Sequence, residues 1–543
     1  MTIRPAREYN APVVTLKTHP ELTIRGAVMK RHWAILPALL SGVVLLSTCA
    51  GPGDRGTKAE TGSLVEIVAQ GKSELLAVAF DRYAAGTREL PIGVFDSGIG
   101  GLTVLAAILQ LDAYNNVTHH AGADGRPDFE NERFVYLGDQ ANMPYGDYPS
   151  EHKTGFLREL ILRDLVFLVG QRYWPSATAA VPRHDKAPVK AIVIACNTAT
   201  AYGLETVTAA VKRWQLPVPV IGIIDVGAGG AIRAIAAQNG KGTVAVLATV
   251  GTCRSEGYRR AIARQAARAG VRPPEVIQQG CHGLAGAIEG DPSYIRSTET
   301  AATVEYRGPA AGSQTAPLDL ALLGQYDFEP AGLLGELDRP ATWRLNSVGN
   351  YIRYHTASLL ESYRRSGASE PIGAVVLGCT HFPFYQDELA ACLGRLRDFR
   401  APDGAQPYRN LIFERPSFIN PAELTARQLY ETLAGLGRLI REHDDSALDV
   451  DEFYISVPNP ALAGVKLAET GGFTYEYKYG REPGHFEWEY VKYVPMSSEN
   501  LSPAVRETIR TKMPVVWARL VAFSRKSPRT RDLPEAARFR PEP

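Results

Sequence analysis

The sequence predicts an α/β protein whose parallel sheets are covered by helices on both faces. Three observations carry this expectation. Short apolar, β-branched runs recur at 91–95, 134–137, 189–195, 218–224, 243–247 and 374–377. Ala- and Leu-rich stretches of helical length, such as 154–168 and 254–269, lie between most of them, the rhythm of strand–helix–strand units. The residues able to do chemistry fall at or near the carboxyl ends of these runs, where sites gather in such sheets.

The bulk composition agrees with a globular, enzyme-like chain. Its 543 residues are enough for two or three domains, 45% are hydrophobic, and six are cysteines, too few for a disulfide scaffold. Lys+Arg number 59 against 58 Asp+Glu, so no basic field points to nucleic acid and no acidic tail to a solvating role. The absence of a Cys-x-x-Cys pair argues against a structural zinc site.

The amino-terminal region, 1–90, reads differently. Met29-Lys-Arg-His-Trp33 is basic, 34–46 is apolar, and small residues lead to Cys49 before a Gly/Asp/Lys-rich stretch. This pattern resembles a bacterial lipoprotein signal, with translation starting at Met29 and Cys49 the residue to be acylated. The apolar run is short for a membrane span. A processed signal would place the protein in the periplasm or on a membrane through its lipid; an unprocessed one would leave a cytoplasmic enzyme with a hydrophobic amino-terminal segment.

Three segments interrupt the α/β rhythm. Residues 112–132 are polar and read as a surface insertion. A longer insertion spans about 291–370, Gly/Pro/Ser-rich at 308–317 and helical at 350–365. From about 442 to 543 lies a carboxyl-terminal α+β extension. There Phe473-Thr-Tyr-Glu-Tyr-Lys-Tyr479 and Phe486-Glu-Trp-Glu-Tyr490 alternate aromatic with polar residues, the pattern of a β-hairpin with one aromatic face. Such a face could bind sugar or peptide, but packing on the body is the favoured reading.

Two cysteines occupy matching settings, Ala191-Ile-Val-Ile-Ala-Cys196-Asn197-Thr198 and Ala374-Val-Val-Leu-Gly-Cys379-Thr380-His381. Each follows a buried-strand pattern and precedes a helix start, where backbone N–H groups and the helix dipole favour thiolate over thiol. Cys253, Cys281 and Cys392 fit the ordinary role of small buried hydrophobes. A third motif, Ile92-Gly-Val-Phe-Asp96-Ser97-Gly98-Ile99-Gly100-Gly101, puts a carboxylate and a hydroxyl at a strand end beside glycines that admit a small anion. It matches neither a dinucleotide-binding nor a Walker spacing. Pro144-Tyr145-Gly146 alone would be an ordinary tight turn.

Taken in order, Asp-Ser-Gly-Ile-Gly-Gly, Pro-Tyr-Gly, Cys-Asn-Thr-Ala, Gly-Thr at 251–252 and Gly-Cys-Thr-His-Phe-Pro resemble the glutamate racemases over about 91–441, outside the two insertions. That resemblance implies two similar α/β lobes holding substrate between them: 91–218 with 382–441, and 219–381. It implies a cofactor-independent amino-acid racemase using no metal, flavin or pyridoxal phosphate. It also implies catalytic roles for Cys196 assisted by Asp96, and for Cys379 assisted by His381 and by Glu289. Ser97, Pro144, Tyr145, Gly146, Asn197, Thr198 and Thr380 match the substrate-binding positions. The implied partners are an amino acid and, as an assembly, a homodimer. The chemistry is consistent, since inverting an α-carbon needs one base and one acid on opposite faces, and two tuned thiols supply both. Two alternatives stand beside glutamate racemisation: a related racemase or isomerase with another amino acid, and an anchored amino-acid-binding protein without turnover.

Overall fold

The computed structural model describes residues 64–296, 305–367, 370–440 and 450–540. The signal-like segment and Cys49 lie outside them. Among the described residues no helix is long and apolar enough to cross a membrane.

Twelve strands are described: β1 (Ile92–Asp96), β2 (Phe134–Gly138), β3 (Ala191–Ile194), β4 (Val220–Gly222), β5 (Thr243–Ala248), β6 (Val276–Gly280), β7 (Leu333–Leu334), β8 (Arg344–Leu345), β9 (Ile372–Gly378), β10 (Ile412–Ile419), β11 (Glu452–Pro458) and β12 (Val491–Pro495). They form a six-stranded sheet in the order β12-β11-β2-β1-β3-β4, a four-stranded sheet β10-β9-β5-β6, and a small ribbon β7-β8 in the long insertion. All pairings in the two large sheets are parallel except β11 with β12. The α/β class read from the strand–helix alternation is therefore the class observed.

The unbroken apolar runs follow from burial on both faces, because successive side chains of a strand point to opposite sides. In β3, Ile192 and Ile194 enter the core under the helices Thr154–Val169 and Asn197–Arg213, while Ala191 and Val193 enter the core under Leu102–Gln110 and Pro421–Gly435. In β5, Ala245 and Leu247 face the helix Val348–Arg365, and Val244 and Val246 face Ile223–Ala237 and Gly257–Arg268. Each sheet thus has two cores, and its strand ends are the open positions.

The strand pairings correct the lobe boundaries drawn from the sequence. Strand β4, expected with the second lobe, pairs with β3 of the first sheet, and β10, expected with the first lobe, pairs with β9 of the second. The helix Ile223–Ala237 begins directly after Gly222, so the apolar run at 218–224 is half strand and half helix start. A continuous apolar run does not distinguish these two states.

The carboxyl-terminal extension also differs from expectation. Strand β11 adds parallel to β2, and β12 covers it antiparallel, so the extension completes the first sheet. The expected aromatic hairpin is absent: Tyr475–Gly480 is helical, capped by the Thr474 side chain, which accepts from the Tyr477 amide at 3.3 Å. Alternation at every second residue also contains every i,i+4 pair, and here Phe473 meets Tyr477 and Tyr475 meets Tyr479 with ring centroids 5.3 and 4.6 Å apart. The cap and these pairs select the helix. Phe473, Tyr479, Phe486 and Tyr490 are buried in the first lobe's core, as the packing reading required.

Candidate active site

The carboxyl ends of β1, β2, β3, β5 and β9 deliver the sequence-predicted residues to a single cavity of about 310 Å³. Ser97, Pro144, Tyr145, Gly146, Cys196, Asn197 and Thr198 line it from the first sheet, and Cys379, Thr380 and His381 from the second. Asp96 and Glu289 stand behind this lining. Both are bonded to groups around it, Asp96 to Thr380 and Glu289 to His381.

Cys196 is the N-cap of the helix Asn197–Arg213. Its sulfur accepts the Ala199 amide at 3.4 Å, and the thiol donates to Ser97 Oγ at 3.7 Å. The predicted helix-start setting is thus present, but the expected thiolate preference is not. Burial pushes the Cys196 thiol up, and the negative charge of Asp96 adds to that, while the Ala199 amide only partly opposes it. These surroundings favour the protonated form of Cys196, a proton donor.

The other cysteine is differently placed. Cys379 Sγ lies 3.7 Å from His381 Nδ1, and His381 Nε2 lies 2.6 Å from Glu289 Oε1. Burial works against charge on His381, yet its bonds with Cys379 and Glu289 outweigh burial and hold its pKa well above the ordinary histidine range. The imidazolium then donates to sulfur on one side and carboxylate on the other. Glu289 ends the helix Leu284–Glu289 and is fixed further by the Ile99 amide at 3.3 Å and by Gln140 Nε2 at 2.6 Å.

Asp96 binds its own motif. Its Oδ2 accepts the Gly98 and Gly101 amides at 3.2 and 3.0 Å, and its Oδ1 accepts the Thr380 hydroxyl at 3.5 Å. Burial raises its pKa, against the opposing charge of His381 and those amides. The partners of the Cys196 sulfur are Ser97 and Ala199, so Asp96 acts on that thiol through charge and through the loop that carries Ser97. The glycines of the motif permit this closeness. A Cβ on Gly100 would lie 2.5 Å from Thr380 Oγ1 and 2.6 Å from His381 Cε1. Gly100→Ala is therefore expected to cost about 1–3 kcal/mol, read as a lower urea midpoint, and to displace His381 from Cys379.

Asn197 and Tyr145 were both predicted to bind substrate, and their polar atoms are disposed differently. Asn197 Oδ1 accepts the Tyr258 hydroxyl at 2.6 Å, which leaves its buried Nδ2 without a partner at the cavity wall. That amide is a free donor for a carboxylate. The Tyr145 hydroxyl instead bonds with Asp139 Oδ2 at 2.5 Å and Asp164 Oδ2 at 2.7 Å. One phenol proton serves only one carboxylate, so the other carboxyl is protonated. Burial raises both carboxyls; side-chain bonds and the Arg481 charge oppose the rise at Asp139, while the charge of Asp139 adds to it at Asp164, so Asp164 is the better holder of the proton. Tyr145→Phe is expected to destabilise by about 1–3 kcal/mol in chemical denaturation, and Asp164→Asn, uncharged like the native acid, by much less.

Sequence reasoning missed Met143, Thr249 and Ala285 in the lining and Gln140 behind it. Thr249 follows β5 and caps the helix Val250–Arg254, the same strand-end, helix-start signature that marked Cys196, so that rule would have found it. Its hydroxyl forms a triangle with those of Thr198 and Thr252, each side 3.0 Å. Gly146 packs directly on it, for a Cβ there would lie 2.7 Å from Thr249 Cβ.

Comparison with known proteins finds similarity to amino-acid racemases. Residues 170–308 match the family model described as Asp/Glu/Hydantoin racemase. A glutamate racemase of Limosilactobacillus fermentum is 35% identical over 205 residues, 37% of this chain and 59% of the relative. One of Enterococcus faecalis is 37% identical over 175 residues, 32% of this chain and 47% of the relative. The chain thus spans about half of the length of these curated relatives. Among solved structures, the glutamate racemase isoform RacE1 of Bacillus anthracis matches at 23% identity and a TM-score of 0.39, covering 67% of this chain and 88% of that one. Residues 170–308 are thus similar to the Asp/Glu/hydantoin racemase family, and the curated proteins that resemble this chain over about a third of its length are glutamate racemases.

Proposed function

We propose that this chain is a cofactor-independent amino-acid racemase that interconverts L- and D-glutamate by a two-base mechanism, supplying D-glutamate for peptidoglycan. One observation carries the reading: two buried cysteines, one from each sheet, line the same small cavity with unlike partners. Cys379, bonded to the His381 imidazolium, takes the α-proton as thiolate on one face of the substrate. Cys196, a thiol, delivers its proton to the opposite face of the carbanion, giving the other enantiomer. Cys379 is then the thiol and Cys196 the thiolate, which is the state that catalyses the reverse direction. Asn197 Nδ2 and the Thr198 hydroxyl supply donors for the substrate's carboxylate. Asp96, Glu289 and His381 set the charge around the two sulfurs rather than exchanging the proton themselves.

The test is incubation of the purified protein with L-glutamate, D-glutamate, aspartate and other amino acids in D2O, following α-deuterium incorporation and optical rotation. Exchange and loss of rotation with glutamate support the reading. Exchange with another amino acid alone would move the substrate and keep the mechanism. Binding without exchange of any of them would leave an amino-acid-binding protein.

A further inference from the structure

The carboxyl-terminal extension reaches the cavity from behind. The loop 142–148 carries Pro144, Tyr145 and Gly146, which form one wall. Lys478 Nζ donates to the Met143 carbonyl at 2.6 Å. Arg481, 6% exposed, donates to Asn142 Oδ1 at 2.6 Å and to the Tyr148 hydroxyl at 3.2 Å. Its guanidinium is packed by Phe473 and Phe156, with the carbon 4.6 and 4.8 Å from the ring centroids. Asn142 passes the contact on, donating to both oxygens of Asp139 at 2.9 Å, and Asp139 holds the Tyr145 hydroxyl. A continuous line of charge-assisted bonds therefore runs from the extension to the substrate wall.

The same short helix touches the second lobe's insertion. Arg307 stacks on the Tyr475 ring, 3.4 Å from its centroid, and lies 3.9 Å from Glu476. Tyr294 donates to Asp147 at the far end of the loop at 3.1 Å. The long insertion and the carboxyl-terminal extension thus converge on one loop. Lys478 is half-buried, its ammonium directed to a main-chain carbonyl, and desolvation lowers its pKa despite the nearby Asp291 and Asp147. Packing alone would be satisfied by an apolar side chain.

We propose that Lys478 and Arg481 are positioning residues for the substrate wall, through which the carboxyl-terminal extension sets the affinity for the amino-acid substrate. This rests on the racemase reading for its kinetic arm and not for its structural arm. A wall that contacts ground state and transition state alike changes KM more than kcat.

The experiment uses the full chain with Lys478→Met and Lys478→Arg. For Lys478→Met the expected results are a KM raised about 10-fold with kcat within about 2-fold, and faster amide hydrogen exchange at 145–147. Lys478→Arg, which retains a donor and a charge, should recover most of both. An unchanged KM together with unchanged exchange at 145–147 overturns the proposal, as does a uniform rise in exchange over the whole first lobe, the mark of general destabilisation. If Lys478→Met does not fold, Tyr479→Phe, which removes hydroxyl contacts to Asp147 and Pro144 at 3.4 and 3.5 Å, is read by the same criteria. Should the wild-type chain racemise nothing, the racemase reading fails while amide exchange at 145–147 still decides whether the extension holds the wall.

Discussion

Replacing Cys196 or Cys379 by serine is expected to lower racemisation of glutamate by about 10²–10⁴-fold in either direction, with the fold intact by circular dichroism. The size follows from the roles proposed for the two sulfurs. A serine hydroxyl is far too weak an acid to stand as the conjugate base at neutral pH, so the face it occupies loses both proton removal and proton delivery. The two variants should also differ. Cys379→Ser removes the sulfur that His381 serves, while leaving the Cys196 thiol with Ser97 and Ala199. Cys196→Ser leaves the Cys379–His381–Glu289 line in place, and slow α-proton exchange without inversion is its expected residual activity. Substantial racemisation by either variant, measured by optical rotation, would remove the two-base assignment.

Glu289→Gln is expected to lower kcat by about 10²-fold and to make the remaining activity fall at lower pH than in the wild type. In the native site burial opposes charge on His381, and the contacts with Cys379 and Glu289 hold the imidazolium against it. A histidine whose folded pKa is raised contributes stability in full below its ordinary pKa, near 6.5, and loses it as pH rises through the folded value. For the wild type this places the loss on the alkaline side of neutrality. With a neutral amide at 289, burial is no longer answered by the carboxylate, the His381 pKa falls, and the loss moves toward acid. The amide also presents N–H groups where the Ile99 amide, Gln140 and His381 now donate, so at least one of those bonds breaks. The pH–rate profile together with the His381 imidazole titration followed by NMR reads both effects; an unshifted titration would show that Glu289 does not hold the charge.

Much of this site was legible in the chain because its main residues sit where local pattern and position coincide. An apolar run followed at once by Cys196-Asn197 or Cys379-Thr380 is a strand end meeting a helix or turn start, and that signature survives without knowledge of the partners. Thr249, at the end of β5 and the cap of Val250–Arg254, carries the same signature. Glu289 was reachable through the spacing from Cys281 and not through any local property, since its bonds to His381, Ile99 and Gln140 come from distant parts of the chain.

The sequence by itself determined the α/β class, the strand ends that carry the thiols, and the ordered motifs that resemble those of the glutamate racemases. Each of these depends on side-chain periodicity over a few residues or on the order of short segments, and neither needs a tertiary partner. Only the tertiary structure decided the rest. It turned an expected aromatic hairpin into a capped helix, moved β4 and β10 to the opposite sheets, and joined the carboxyl-terminal strands to the first. It also bonded the Tyr145 hydroxyl to Asp139 and Asp164 and raised the Cys196 pKa despite its helix-start position. The physical reason is common to all of these. Strand pairing, burial and the charge of a neighbour are set by residues far apart in sequence, and desolvation of a thiol or carboxyl depends on everything packed around it.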